Sequence, residues 1–167
     1  MKKLLTVLLF SVATSVFAQP KQKISFEASA AISKYTQQHA IDVGDVPGHQ
    51  IRIFEMMRDY GSNGPVIEGV RLKTTASRFM TDFIELNGSG VGYQTMEMEN
   101  GDKVFSRSSY TAQSSGDGSA HDMQVYVITG GTGKFLGIRG IVRSATSANP
   151  NAGTVSSKID LEYWMMK

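Results

Sequence analysis

Short runs of alternating apolar and polar residues are the feature of this sequence that most limits its fold. In residues 50–58, for example, Gln50 and Arg52 alternate with Ile51 and Ile53. A period of two places successive side chains on opposite faces of a β-strand. Glycine, asparagine, aspartate and proline separate the runs, as is typical of turns. The pattern therefore predicts an all-β antiparallel fold.

The turn residues divide the chain into eight predicted strands of similar length. Two turns contain Asn-Gly dipeptides, Asn87-Gly88 and Asn100-Gly101, which favour the positive φ angles of tight hairpins. An open sheet would expose unpaired edges, whereas a closed barrel has none, so we expect an eight-stranded antiparallel up-and-down β-barrel. The strands are predicted near residues 35–43, 50–58, 66–79, 91–99, 103–112, 121–129, 134–144 and 155–166.

The first eighteen residues have the three regions of a signal peptide. Two lysines precede an apolar stretch that is too short to cross a bilayer, and Val16 and Ala18 occupy the −3 and −1 positions of a cleavage site. An uncleaved anchor is the alternative interpretation. The predicted organisation is a signal peptide at residues 1–18, an N-terminal arm at 19–34 and a barrel domain at 35–167, with the mature protein periplasmic or secreted.

Charge and cysteine content narrow the classes of partner. Loss of Lys2 and Lys3 with the signal peptide reduces the seventeen basic residues to fifteen, which equals the fifteen acidic residues. A near-neutral chain is not expected to bind nucleic acid or acidic lipid. No later segment has the ~20 apolar residues of a spanning helix. Because cysteine is absent, no disulfide supports the fold and packing must stabilise it.

Residues 128–140 form the most distinctive segment, Ile-Thr-Gly-Gly-Thr-Gly-Lys-Phe-Leu-Gly-Ile-Arg-Gly. A phosphate-binding loop would need serine or threonine after Lys134 and then a helix, but Phe135 and a strand follow. A dinucleotide-binding fingerprint would need glycine in place of Leu136. We therefore interpret the first three glycines as a tight reversal between strands, and the last two as relief of crowding in a bent strand.

This glycine-rich hairpin resembles the signature of the allene oxide cyclase and dirigent superfamily. The resemblance extends to residues 158–163, Lys-Ile-Asp-Leu-Glu-Tyr, at the position of the family's closing strand, and it covers residues 35–167. It implies an eight-stranded barrel with a largely apolar lumen that binds a hydrophobic small molecule. It also implies homodimers or homotrimers. Known members cyclise an allene oxide or steer the coupling of phenoxy radicals, so the resemblance implies no metal or organic cofactor.

The family's catalytic residues have only partial counterparts in this chain. Dirigent proteins carry a His-Asp pair on the first strand, where this sequence has His39, then Ala40, with Asp42 further on. Cyclases carry a glutamate and an asparagine on that strand, and residues 35–43 contain neither. The family form of either mechanism is therefore not predicted.

Candidate catalytic residues are polar side chains on otherwise apolar strand faces. Glu55 shares its face with Ile51 and Ile53, so if that face lines the lumen, burial would raise the pKa of its carboxyl group. A tyrosine or arginine beside it would complete an acid–base pair. The alternative for each residue is a solvated outer position, because parity alone does not fix the inward face. The candidates are Glu55, Tyr93, Glu97, Arg107, Tyr110 and Arg139.

These features fit more than one function. The first is a cofactor-free isomerase, cyclase or lyase acting on a hydrophobic or phenolic small molecule in the lumen. The second is a non-catalytic, lipocalin-like carrier or sensor of a hydrophobic ligand, and the third is an envelope protein whose exterior contacts other proteins. No metal site is predicted, because His39, His49 and His121 lack metal-binding spacing and cysteine is absent.

Overall fold

The computed structural model describes residues 20–149 and 152–166, and the predicted signal peptide at residues 1–18 lies outside them. The strands are β1 (Gln22–Ala28), β2 (Ser33–Asp42), β3 (His49–Asp59), β4 (Val66–Ile67), β5 (Val70–Ile84), β6 (Asn87–Met98), β7 (Lys103–Ser114), β8 (Ala120–Gly131), β9 (Ile138–Asn149) and β10 (Thr154–Met165). Short 3-10 helices cover Ala30–Ile32, Gly61–Asn63 and Gly133–Phe135. None of the helices in the described part of the chain is long and apolar enough to cross a membrane.

The strands form one antiparallel sheet, in the order β1-β10-β9-β8-β7-β6-β5-β3-β2, with β4 paired to β5. The predicted all-β antiparallel class is confirmed. The described residues form ten strands where eight were predicted. One extra strand arises because the arm at residues 19–34 contributes β1. The other arises because the predicted strand at residues 66–79 divides at Glu68 and Gly69, which both adopt positive φ angles.

Contacts across the interior show that the sheet curls. The guanidinium group of Arg58 on β3 donates a 2.6 Å hydrogen bond to Ser157 Oγ on β10. The rings of Phe26 on β1 and Tyr60 lie 6.0 Å apart. These contacts join regions near opposite ends of the strand order, so the sheet surrounds one interior. Within the described ranges, β1 and β2 do not pair with each other and are connected by the 3-10 helix Ala30–Ile32.

Alternation along each strand decides which side chains face the interior. On β8, Gln124, Tyr126 and Ile128 are buried, whereas Val125 and Val127 between them are exposed. The largest fully buried apolar side chains are Phe135, Ile67, Leu72, Met98, Ile128, Ile138 and Val104. Most of them belong to the hairpins β4–β5, β6–β7 and β8–β9, and we call this end of the barrel the closed end. The opposite end, with the turns at residues 43–48, 85–86 and 115–119, is the mouth.

The glycine-rich segment builds the closed end. Phe135, in the connection between β8 and β9, has no exposed surface and packs into the core. The backbone N–H of Lys134 donates to Asp102 Oδ2 at 2.9 Å, which ties this connection to the β6–β7 turn. A Cβ atom on Gly131 would lie 2.7 Å from Lys103 O, and one on Gly133 would collide with the Asp102 carboxylate. The segment therefore has a structural role.

One predicted turn is wrong. Asn87 is already the first residue of β6, so the hairpin turn is Glu85-Leu86 rather than Asn87-Gly88. Glu85 adopts a φ angle of 56°, and its backbone N–H donates to Gly48 O at 2.9 Å. This contact joins two neighbouring turns at the mouth. A local sequence pattern cannot predict it, because Gly48 and Glu85 are far apart in the sequence.

Candidate functional site

A cavity of about 200 Å³ lies inside the barrel on the side of the mouth. One wall is aromatic and comes from β2, β3, β5 and β7. The ring centroids of Tyr35 and Phe54 lie 5.6 Å apart, those of Phe54 and Phe79 lie 5.3 Å apart, and Phe79 and Tyr110 lie 5.2 Å apart. Phe83 extends the row, with its ring 6.1 Å from that of Tyr110. Edge-to-face and tilted rings at these distances attract one another, which holds the wall rigid.

The opposite wall is polar and comes mainly from β8 and β9. Asp122, Gln124 and Thr146 line the cavity there. Gln124 Nε2 donates to Asp122 Oδ1 at 2.8 Å, and the hydroxyl group of Tyr126 donates to Gln124 Oε1. Thr146 Oγ1 lies 2.9 Å from Ser157 Oγ, so the network continues to β10. The largely apolar lumen that the resemblance implied is therefore found on one wall only.

Asp122 is the acidic group of this cavity. Burial raises its pKa to about 6, because a carboxylate loses hydration in the interior. The hydrogen bonds from Gln124 and Thr146 and the positive charge of Arg58 oppose this effect without cancelling it. A carboxyl group with such a pKa exists in both protonation states near neutral pH, so the cavity contains a group that can donate or accept a proton.

Three tyrosines surround Asp122 inside the barrel. Burial raises the pKa of Tyr35, Tyr110 and Tyr126, and the charge of Asp122 adds to the increase at each of them. Their phenol groups therefore remain protonated at neutral pH and act as hydrogen-bond donors. Tyr35 and Tyr110 line the cavity itself.

A second, smaller space lies deeper in the barrel, with a volume of about 10 Å³. Arg58 lines it and is only 4% exposed. Its guanidinium group donates to Ser157 Oγ at 2.6 Å and to Ser33 Oγ at 3.3 Å. This space is about the smallest that can hold one water molecule. We therefore assign the substrate-sized cavity near the mouth, and not this space, as the candidate site.

Some buried hydroxyl groups of the interior have no hydrogen-bond partner in the described structure. They are Thr75, Thr81, Ser106 and Ser108. Buried hydroxyl groups are usually paired, because an unmade hydrogen bond costs roughly 1–3 kcal/mol. Of these four residues, Thr81 lines the cavity.

The structure places Glu55 outside the barrel. Its carboxylate accepts a 2.6 Å hydrogen bond from Thr36 Oγ1 and forms a 2.6 Å ion pair with Arg78. Of the two positions that the sequence left open for Glu55, the lumen and the outer wall, the structure shows the outer wall. The face that Glu55 shares with Ile51 and Ile53 is the outer face, and Ile53 is 57% exposed. Glu55 is therefore no longer a candidate acid or base of the cavity.

The other five candidates separate into one interior and four outer residues. Tyr110 is buried in the cavity wall. Tyr93 is 61% exposed, and the guanidinium group of Arg107 lies 5.7 Å from its ring on the outer face. Glu97, also on the outer face, pairs in register with Lys103, and Arg139 donates to its neighbouring carbonyl of Ile138 at 2.7 Å. The structure thus places Tyr110 in the cavity wall, and it brings Tyr93 and Arg107 together on the outer face.

Asp122 was missed by sequence reasoning for a physical reason. The residues that alternate with it, Met123, Val125 and Val127, look like the core-facing side of β8, yet they are 64%, 45% and 53% exposed. The inward face carries Gln124 and the aspartate instead. The sequence did offer one signal for the inward face of β8. Tyr126 alternates with Gln124 and Asp122, and a tyrosine on a face with polar residues is suited to the wall of a lumen.

A wider depression of about 840 Å³ lies across β7, β8, β9, β10 and β1, and it shares Ala112, Asp122 and Thr146 with the lining of the cavity. Outward side chains such as Thr111, Met123, Ala145 and Lys158 form much of its lining. It is more open to solvent than the cavity. None of the unpaired buried hydroxyl groups line it. We therefore regard it as a surface groove rather than the functional site.

Comparison with solved structures identifies the fold. The pterocarpan synthase dirigent protein superposes with a TM-score of 0.52 at 14% sequence identity, over 95% of this chain and 98% of that chain. The fold is dirigent-like. Pyocyanin demethylase is also similar, with a TM-score of 0.45 at 15% identity, over 83% of this chain and 99% of that chain. No protein-family model matches the sequence, and no curated protein matches it significantly.

The dirigent-like fold confirms the resemblance drawn from the glycine-rich hairpin. At 14% identity this likeness concerns the fold alone. The dirigent His-Asp pair has no equivalent in the cavity: His39 is exposed and lies opposite the outward Ile53. The acidic group of the interior comes from β8 instead, as Asp122.

Proposed function

We propose that this protein binds a small aromatic or phenolic molecule in the cavity and acts on it as a cofactor-free isomerase, cyclase or lyase. The observation that carries the proposal is the half-buried carboxyl group of Asp122, with its pKa raised to about 6, in the wall of the cavity. General acid–base catalysis is most effective when the pKa of the catalytic group lies near the working pH.

The aromatic wall supports the proposed class of ligand. The rings of Phe54, Phe79, Phe83 and Tyr110 offer faces and edges to a planar molecule. Aromatic pairs contribute ~0.5–1.5 kcal/mol beyond the burial of their surface. The cavity volume of about 200 Å³ suits one ring with a short side chain, since an engineered cavity of ~150 Å³ binds benzene.

The polar groups support a proton transfer. In our proposal, the carboxylate of Asp122 removes a proton from the bound molecule, or the carboxylic acid supplies one. The phenol groups of Tyr35 and Tyr110 donate hydrogen bonds to negative charge that develops on the ligand, because they stay protonated in this environment. Isomerisation, ring closure and elimination can each proceed through such a transfer, and none of them needs an external oxidant or reductant.

The test combines binding with chemistry. A panel of phenols, cinnamyl compounds and other one-ring aromatics is screened by the change in melting temperature and by ¹H–¹⁵N NMR. Compounds that bind are then incubated with the protein in D₂O, and deuterium uptake and conversion are followed by mass spectrometry. We expect Asp122→Asn to lower the rate of exchange or conversion by ~10²–10⁴-fold while binding persists.

Glu55→Gln is the matched control, because it makes the same carboxylate-to-amide change on the outer face. We expect it to leave both binding and exchange unchanged. A ligand that binds in the cavity and returns without deuterium or conversion would identify the protein as a carrier. If no aromatic compound perturbs the cavity residues, the proposal is overturned.

The oligomeric state and the export of the protein remain proposals. The exposed apolar side chains Ile53, Met80 and Val91 lie side by side on β3, β5 and β6, in register. This patch is compatible with the homodimer or homotrimer that the resemblance implied. Sedimentation velocity at two protein concentrations tests it.

A further inference from the structure

The cavity contains a second charged group, on the wall opposite Asp122. Arg52, on β3, is half-buried and lines the cavity. Its Nη2 atom donates to Gln38 Oε1 at 3.3 Å, a neutral acceptor. Among the described residues, no carboxylate lies within ion-pairing distance of Arg52. The positive charge is therefore available to a molecule in the cavity.

The positive charge of Arg52 affects other side chains that line the cavity. It opposes the rise that burial causes in the pKa of Tyr35 and of Tyr110. Asp122 acts on the same two phenol groups in the opposite direction. Arg52 and Asp122 lie on separate strands, β3 and β8, with β5, β6 and β7 between them in the sheet order. The cavity is positive at one wall and acidic at the other.

Thr81 lies beside Arg52. The two residues are directly opposite in the register of β3 and β5, and both line the cavity. Thr81 is 2% exposed, and its hydroxyl group has no hydrogen-bond partner in the described structure. A guanidinium group and an unpaired hydroxyl donor side by side match the two oxygens of a carboxylate.

We propose that the ligand is an aromatic acid, whose carboxylate binds Arg52 and Thr81 while its ring packs on the phenylalanines and its far end faces Asp122. This inference rests on the proposed binding of an aromatic molecule in the cavity and narrows its class. A carboxylate at Arg52 pairs a half-buried cation and satisfies the hydroxyl group of Thr81. It also fixes the direction of the ligand, so the reacting part of the molecule lies at the carboxyl group of Asp122.

The experiment compares cinnamate with cinnamamide, which has nearly the same shape but no charge. Dissociation constants are measured at pH 7.5 by isothermal titration calorimetry or NMR. We expect the wild-type protein to bind cinnamate at least tenfold more tightly than cinnamamide. Arg52→Gln should abolish this preference while its affinity for cinnamamide stays within about twofold, and Thr81→Val should reduce the preference by a smaller factor.

Arg143→Gln is the matched control, because Arg143 is an exposed arginine on the outer face of β9. We expect it to leave the preference for cinnamate unchanged. If Arg52→Gln does not fold, the wild-type protein is titrated at low and high NaCl concentration. Salt should then weaken cinnamate binding and leave cinnamamide binding unchanged.

The outcomes separate the two proposals. Equal affinity for cinnamate and cinnamamide, or a preference that Arg52→Gln leaves intact, overturns the aromatic-acid inference and leaves aromatic binding in the cavity standing. Cinnamate binding that is insensitive to salt also overturns it. If neither compound nor any neutral aromatic compound binds, the proposed function fails and the inference fails with it.

Discussion

The side-chain amide of Gln124 donates a 2.8 Å hydrogen bond to the carboxyl group of Asp122, two residues earlier on the same inward face of β8. The amide is held in turn by the hydroxyl group of Tyr126, so its oxygen accepts and its NH₂ group faces the carboxylate. This arrangement fixes the direction in which Asp122 presents its free oxygen. The hydrogen bond from Gln124 lowers the pKa of Asp122 by less than burial raises it, so this pKa stays near 6.

The raised pKa of Asp122 predicts how stability depends on pH. Because the pKa rises from 3.8 to about 6 on folding, the folded state binds more protons than the unfolded state between these values. Stability should therefore fall as pH rises through this window and then level off. At pH 7, Asp122→Asn should be more stable than the wild type by up to about 3 kcal/mol. Melting temperatures of the wild type and of Asp122→Asn, measured from pH 4 to 8, check this. If the melting temperature of Asp122→Asn falls with pH as steeply as that of the wild type, the prediction is contradicted.

The glycines of the β8–β9 connection should differ in their tolerance of a side chain. Gly131→Val and Gly133→Val should unfold or aggregate the protein, because a Cβ atom at position 131 would lie 2.7 Å from Lys103 O and Gly133 has a φ angle of 51°. Gly130→Val is the control, since a Cβ atom there meets only Arg139 Nη1 at 3.8 Å. Circular dichroism and thermal melts distinguish the variants. Folded valine variants at 131 and 133 that lose only ligand binding would reopen the phosphate-loop interpretation.

His49 joins the mouth turns through two aspartates. Its Nδ1 atom lies 2.6 Å from Asp45 and its Nε2 atom 2.7 Å from Asp82, and these hydrogen bonds raise its pKa. A neutral imidazole has a single N–H, so it can donate to only one of the carboxylates. The stability from His49 should be complete below its usual pKa of ~6.5 and be lost as pH rises through the raised value. NMR titration of the imidazole checks the direction, and Asp82→Asn should lower the pKa of His49.

Glu55→Gln should have little effect. The ion pair with Arg78 lies on the outer face, where the arginine side chain is 58% exposed. Such pairs contribute ~0–1 kcal/mol. We expect a small change in melting temperature and no change in ligand affinity. A loss of activity comparable to that of Asp122→Asn would show that the assignment of the outer face is wrong.

The mature protein is predicted to begin at Gln19. Val16 and Ala18 occupy the −3 and −1 positions of the predicted cleavage site, and Gln22 is the first residue of β1, so cleavage there would leave the sheet intact. Intact-mass measurement of protein from the periplasm or the medium should give a chain that starts at Gln19. A full-length chain in the cytosol would contradict both the signal peptide and the export.

Local features of the sequence predicted the strands well. Period-two runs located most of the strands, and the Asn100-Gly101 turn is confirmed, with Gly101 at a φ angle of 84°. The turn at Glu85-Leu86 was not predictable in the same way. A glutamate at positive φ is held there by a hydrogen bond to Gly48, which is distant in sequence.

The inward face could not be predicted, because both faces of several strands are apolar. On β3, Ile51 and Ile53 are on the outer side and Phe54 and Met56 on the inner side. Hydrophobicity alone does not separate them, and the polar residues of the cavity lie where a core would be expected. For this reason the sequence did not identify Arg52 and Asp122, which line the cavity.

The burial of Phe135 at the closed end affects how small molecules enter and leave the barrel. Because that end is filled by side chains, we expect a molecule that enters by the mouth to leave by the mouth. Two ligands cannot pass each other in a space of about 200 Å³. Any product would therefore delay the next substrate, and progress curves should slow through product inhibition well before the substrate is exhausted.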